Sequence, residues 1–329
     1  MFHKLFILLC VEYLRSISMK ILITGIAGFI GSHVAEHLHD LGHELVGIDN
    51  FSDYYPIALK NKNAATLEAK GIKILLADLR ETTSIDKLPA SIDYIFHFAA
   101  QPGIAATSTF EDYLTNNVIA TQNLLTYALK QDSLKLFVNI GTSSIYGLNA
   151  TFPESVAPQP ASHYGVTKLA AEQLVLCNSR LNKLKACSLR LYSVYGSRER
   201  PDKLFTKLLD CGLNAKAFPL FQGSLSHLRS FTHVSDIVKG IVSVIGREEV
   251  CNGEIFNIGT EAEYTTQQGV DAVEKLLNTT IIFDELPPRS GDQQRTKANI
   301  DKARELLNYN PTVTLEEGVA EQLAWFRNL

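Results

Sequence analysis

MKILITGIAGFIGSHVAEHLHDL, residues 19–41, decides how the rest of the chain is read. Ile21, Leu22 and Ile23 make Lys20–Thr24 an uninterrupted apolar strand, of the kind buried on both faces. Gly25, Gly28 and Gly31 follow in the spacing G-x-x-G-x-x-G. The helical pattern Phe29, Ile30, Val34, Leu38, Leu41 begins at once. Strand, glycine turn and helix together bring backbone N–H groups and a helix N-terminus up to a phosphate. Gly25 allows the sharp turn, Gly28 lets the backbone approach a pyrophosphate, and Gly31 lets helix and sheet pack closely.

A second signal lies beyond that helix. Glu44–Ile48 is another apolar strand, and Asp49 closes it. A carboxylate there accepts hydrogen bonds from adenosine ribose hydroxyls and repels a 2′-phosphate, which favours NAD over NADP. Further strands are expected at Ile72–Ala77, Tyr94–Phe98, Leu136–Ile140 and Lys185–Leu191, with helices between them. A long amphipathic helix is expected over Phe110–Lys130, carrying Asn116 and Asn117, and another over Ser162–Ser179. Such alternation implies an α/β fold, a Rossmann-type doubly wound parallel sheet.

Asp78, after the third strand, can accept from an adenine amino group or cap the next helix. Ala99 and Ala100 leave room for a cofactor across the strand ends. From Tyr192 the character changes, and a smaller C-terminal α/β lobe is expected. The expected division is residues 19–191 as the NAD-binding domain, with 230–260 returning to it. Residues 192–229 and 261–329 would form the substrate lobe.

Size and composition are those of a soluble globular protein of 329 residues, 46% hydrophobic and 20% charged. A net charge of -4 offers no polybasic face, so neither nucleic acid nor a membrane is an expected partner. Five scattered cysteines with no C-x-x-C pair argue against a disulfide framework and fit a reducing cytoplasm. Residues 1–18 carry a short apolar run, Leu5–Val11, too short to span a bilayer. They are expected to be an extension ahead of Met19 that adds nothing to catalysis. His33-Val34-Ala35-Glu36-His37 matches the inverted zinc-protease pattern H-x-x-E-H, but its helix starts inside the glycine loop, and no metal site is expected.

Tyr164 and Lys168 stand one helical turn apart. A tyrosine with its ordinary pKa near ~10 is a poor base at neutral pH. A neighbouring ammonium and a bound NAD⁺ favour its phenolate. Thr142, at the end of a strand, adds a hydroxyl.

With these residues in place, the chain resembles the extended short-chain dehydrogenase/reductases, and more narrowly the NAD-dependent nucleotide-sugar epimerases and dehydratases. Thr24–Gly31, Gly141–Gly147, Tyr164-Gly165-Val166-Thr167-Lys168 and Arg229–Asp236 carry the resemblance, in the family's order. It implies Thr142, Tyr164 and Lys168 as catalytic residues. It implies cofactor contacts at Gly25, Gly28, Phe29, Ile30 and Gly31, and at Asp49, Asn50, Asp78 and Leu79. Further cofactor contacts are implied at Ala99, Ala100, Asn117, Tyr164, Lys168, Tyr192 and Val194.

Family dehydratases place an Asp-Glu pair after the threonine, whereas this chain has Ser143-Ser144, which supply neither acid nor base for loss of water. Arg198-Glu199-Arg200-Pro201-Asp202 resembles the Arg-x-Arg-Pro-Asp stretch of UDP-glucuronate 4-epimerases. Arg200 would then face the sugar carboxylate, with Ser143, Ser144 and Ser193 beside it. Arg229 and Arg289 resemble the clamp on a UDP diphosphate, Asp292 the ribose ligand, and Phe221 a uracil contact. Ala105 replaces an arginine common in the uronate enzymes, and His163 the usual proline before Tyr-Gly.

The implied activity is 4-epimerisation of a UDP-sugar, above all UDP-glucuronate to UDP-galacturonate, supplying polysaccharide synthesis. Epimerisation of UDP-glucose or UDP-N-acetylglucosamine stays open, as do uronate decarboxylation and a non-catalytic nucleotide sensor. The family commonly forms homodimers through the helices at 110–130 and 162–179.

Overall fold

A computed structural model describes residues 18–104, 108–288 and 292–329. Residues 1–17, Ala105 and Arg289 lie outside the described residues, and so do the expectations placed on them.

Seven parallel strands form the central sheet: β1 (Lys20–Thr24), β2 (Glu44–Asp49), β3 (Lys73–Leu76), β4 (Tyr94–His97), β5 (Leu136–Thr142), β6 (Ala186–Leu191) and β7 (Ile255–Ile258). Their spatial order is β7-β6-β5-β4-β1-β2-β3. The order reverses between β1 and β4, and a crevice opens outside the carboxyl ends of strands at such a reversal. Ile21, Leu22 and Ile23 have no accessible surface, because helices cover both faces of β1.

On one face lie α1 (Phe29–Asp40), α2 (Ile57–Ala69) and, much later in sequence, α7 (Val234–Val242). Val34 and Leu38 pack there with Ile237 and Ile241. The other face carries α4 (Ala120–Ala128) and α5 (His163–Arg180), through Leu124, Leu125 and Val175. Each buried aliphatic side chain contributes roughly 1.5–3 kcal/mol. Strand β7 joins β6 at the edge, pairing Ile255 with Ser188 and Ile258 with Leu191.

The single helix expected over Phe110–Lys130 is three segments. A short α3 (Phe110–Tyr113) runs into a π-helical turn (Leu114–Ile119) and then into α4. Hydrophobic periodicity does not register one extra residue in a turn. Strand β5 continues past Ile140 to Thr142, carrying the threonine to the sheet's end.

A second group of elements forms a lobe over the crevice, whereas Ala298, Ile300, Ala303 and Leu307 pack into the core of the central sheet. The lobe contains α6 (Leu204–Asn214), α8 (Thr266–Leu277), α9 (Leu315–Phe326) and a two-stranded parallel ribbon, Phe218–Phe221 with Phe283–Leu286. Tyr195, Phe205 and Phe231 form its aromatic centre, with Phe205 4.8 Å from Tyr195 and 4.9 Å from Phe231 between ring centroids. Thr265 with Gln268 and Thr314 with Glu317 form capping boxes on α8 and α9. Among the described residues no helix is long and apolar enough to cross a membrane. The four described cysteines form no disulfide.

Candidate active site

A cleft of about 560 Å³ lies between the strand ends and the lobe. Its floor is the glycine loop. Gly25 has φ +68°, and a Cβ on it would stand 2.8 Å from the Ala99 amide nitrogen. A Cβ on Gly31 would stand 2.5 Å from the Gly25 carbonyl oxygen. Both positions therefore require glycine, the first for conformation and approach, the second for approach alone. Gly28 precedes α1, and no side chain caps that helix, so its first-turn amides are left for a ligand.

Asp49 ends β2 with 6% of its surface exposed. Its carboxylate accepts the N–H groups of Ala27 (3.1 Å) and Phe51 (2.8 Å), and Lys60 Nζ stands 3.9 Å away. The loop thus fixes the acidic group at the far end of the cleft. Asp78, beside it, accepts from Asn50 and from the Arg80 guanidinium. Burial opposes its ionisation, but the Arg80 and Asn50 hydrogen bonds outweigh that and hold its carboxyl at about 2. Leu79, Ala99, Ala100, Phe29, Ile30 and Val194 line the same cleft.

At the other end, Tyr164 and Lys168 project from the first turns of α5, which Ser162 caps through Gly165 N–H. Burial pushes the Tyr164 phenol up; a hydrogen bond with Thr142, the positive charge of Arg200 and the Gly103 N–H pull the other way. Lys168 is 5% exposed, and burial lowers its ammonium to about 8 against the opposing charge of Glu172. Glu172 is itself gripped by Arg190, Nε at 2.9 Å and Nη2 at 2.7 Å, and by the Ser188 hydroxyl. Arg190 also donates to Tyr146, which donates to Asn257 on β7. This buried chain supports α5 from beneath, and nothing in the sequence spacing announces it.

Ser143 and Ser144 follow Thr142 in the cleft wall, and Thr142 Oγ1 accepts Ser144 N–H at 3.2 Å. Ser193, across from them, is within 3.3 Å of the Thr296 hydroxyl. Arg200 is 6% exposed. Its guanidinium lies 5.1 Å from the Tyr54 ring centroid, and Nη2 pairs with Asp202 at 3.1 Å. Its Nη1 is buried with no hydrogen-bond partner among the described residues. A buried cationic N–H left in that state is a strong site for an anionic ligand. In the lobe, Arg229 and His227 both approach Asp292, at 3.5 and 3.6 Å, and Phe221 lines the same wall.

Two residues expected to contact the cofactor do not line the cleft. Asn117 is buried behind the wall, where it accepts Gln101 N–H at 2.8 Å and donates to Thr167 at 3.0 Å. Tyr192 turns into the core against Tyr146, and the backbone leaves the extended conformation at the next residue, Ser193 (φ +27°). Its neighbours Ser193 and Val194 reach the cleft instead. Gln293 was not anticipated: it lines the cleft and donates to the carbonyls of Ser143 (3.3 Å) and Gly147 (3.0 Å). The H-x-x-E-H face docks a loop, with His33 bonding the Ser197 carbonyl at 2.8 Å and Glu36 pairing with Arg198 at 2.6 Å. No metal-binding group of His, Cys, Asp and Glu occurs among the described residues.

Residues 21–259 match the NAD dependent epimerase/dehydratase family. The chain belongs to that family. It is 35% identical over 94% of its length to an uncharacterized UDP-glucose epimerase of Bacillus subtilis, covering 99% of that protein. With a UDP-glucuronate 4-epimerase of Arabidopsis thaliana it shares 32% identity over 93% of its own length and 76% of the relative's. The crystal structure of UDP-glucuronic acid 4-epimerase from Bacillus cereus, in complex with UDP-glucuronic acid and NAD, superposes with a TM-score of 0.87. That enzyme is 33% identical, with 94% of this chain and 99% of the other covered. The family member described here is thus an epimerase-type fold over nearly its whole length.

Proposed function

We propose that this epimerase acts at C4 of a UDP-sugar, with UDP-glucuronate and UDP-galacturonate as its substrate pair and NAD as its resident cofactor. The observation that carries the reading is Arg200 Nη1, buried without a hydrogen-bond partner among the described residues, on the residue that lines the same cleft as Thr142, Tyr164 and Lys168. The relatives named above support it.

The glycine cradle fits a dinucleotide, since the space that side chains at Gly25 and Gly31 would need is taken by backbone. The open amides of α1 would hold the pyrophosphate and Asp49 the adenosine ribose. Leu79, Ala99, Ala100 and Val194 would flank the rings. The chemistry NAD supplies when bound is reversible removal of hydride from C4.

Tyr164 accepts the C4 hydroxyl proton, and Thr142 orients that hydroxyl. Lys168 would hold the nicotinamide ribose, and its ammonium favours the phenolate. The sugar turns about its diphosphate linkage, so that C4 regains its hydrogen on the opposite face while Tyr164 returns the proton to the C4 oxygen. Arg229 and Asp292 keep the nucleotide fixed during that turn. A 4-keto uronate is a β-keto acid and loses CO₂ when its carboxylate bond aligns with the carbonyl π system. Arg200, with Ser143, Ser144 and Ser193, holds the carboxylate out of that alignment.

The Bacillus subtilis relative's name keeps a neutral UDP-hexose as a second reading. Incubation with UDP-glucuronate, UDP-galactose and UDP-N-acetylglucosamine, with NMR of the products, tests both. Interconversion of the uronates with little action on the neutral sugars is expected, and the reverse preference overturns the uronate assignment.

A cytoplasmic setting is part of the same proposal, supported by free thiols. The exposed apolar side chains Phe110, Ile119 and Val166, on α3, the π turn and α5, support a homodimer through those helices.

A further inference from the structure

Gln293 reaches onto the turn that follows β5. Its Nε2 donates to two carbonyls of that turn, Ser143 at 3.3 Å and Gly147 at 3.0 Å. Only the amino end of an amide can serve two acceptors, so the side chain has one orientation there. The backbone after it is fixed as well: Gln294 donates its N–H to the Leu148 carbonyl at 2.8 Å and accepts Leu228 N–H at 3.0 Å. Before it stands Asp292, close to His227 and Arg229 in the nucleotide wall.

The Ser143 carbonyl and the Ser144 N–H belong to one trans peptide unit and point in opposite directions. The carbonyl end meets Gln293, and the N–H end is donated to Thr142 Oγ1 at 3.2 Å. A carbonyl that accepts a hydrogen bond polarises its peptide and strengthens the N–H as a donor. The Thr142 hydroxyl oxygen, in the cleft wall, is therefore anchored by a peptide that Gln293 holds from the far side.

We propose that Gln293 is a positioning residue for Thr142: by holding the Ser143 carbonyl, it fixes the peptide whose N–H anchors the Thr142 oxygen, and so sets the direction in which Thr142 meets the C4 hydroxyl of the sugar. No covalent bond is made or broken at Gln293. The inference rests on Thr142 orienting the C4 hydroxyl in the reaction proposed above.

Gln293→Met keeps the length of the side chain and removes the donor, and Gln293→Lys returns a donor. In Gln293→Met, kcat should fall about three- to tenfold with KM changed by less than about twofold, and Gln293→Lys should recover most of the loss. In a Thr142→Ala background the anchored oxygen is gone, and Gln293→Met should lower kcat no further. Equal losses in both backgrounds would show general support of the turn and overturn the proposal. A substrate-free measurement separates this from the function itself. Hydrogen exchange at the Ser144 amide, followed by NMR, should be at least about threefold faster in Gln293→Met than in the parent chain, with the β1 amides unchanged. Unchanged exchange at Ser144 overturns the proposal even if the chain turns over no sugar. Faster exchange together with parental kcat in Thr142→Ala would overturn the role given to Thr142, and the proposal with it.

Discussion

Lys168 is a cation that the fold buries, and its environment has two consequences at the scale of a single residue. Burial lowers its ammonium to about 8 from 10.5. Between those values the unfolded chain holds a proton that the folded chain has released, so stability rises with pH across that window. Below about 8 the burial penalty is complete. Lys168→Met in the nucleotide-free chain should therefore raise stability at pH 7 by roughly 3 kcal/mol and flatten the rise above pH 8, as read from urea melts at several pH values. Activity should collapse in the same variant, marking the group as retained for function rather than for folding. Tyr164→Phe should lower turnover by orders of magnitude and leave UDP affinity intact by calorimetry. Near-parent turnover would remove Tyr164 from the reaction.

Among elements, the glycine loop and α1 form the unit most sensitive to one added carbon. Gly31→Ala puts a methyl 2.5 Å from a backbone oxygen that cannot swing aside. The variant should lose about 1–3 kcal/mol of stability and at least about tenfold in NAD affinity, measured by thermal melts and nucleotide titration. This element is also where sequence alone reads best. Contiguous apolar runs identify strands β1 to β6, and the glycine spacing identifies the turn, because local patterns are set by local physics. Tyr164 and Lys168 are legible for the same reason, being one helical turn apart. The π turn at Leu114–Ile119 is not, since hydrophobic spacing tolerates an extra residue. Nor is the support of Glu172 by Arg190, or of Ser143 by Gln293, because each pair meets only through the folded chain. Nor is the inward turn of Tyr192, which lies beside the left-handed backbone at Ser193, a conformation that residue type does not announce.

At the scale of the whole molecule, an unsatisfied surface asks for a partner. Phe110, Ile119 and Val166 are exposed on helices that flank the cleft from outside. Val166→Glu, on the solvent side of α5, should convert a dimer to a monomer in light scattering, with little change in the monomer's fold by circular dichroism. A parent chain that is monomeric at micromolar concentration would refute the pairing.

Strand β7 comes from residues 255–258, long after its neighbour β6 at 186–191. During synthesis the ribosome must add more than sixty residues before that edge can close. Throughout that interval the nascent chain presents a row of bare amides and carbonyls on β6, the kind of template that recruits a stray strand from another molecule. Slow decoding or a truncated message in this stretch should therefore lead to aggregates, even though the cradle for the nucleotide has already been made.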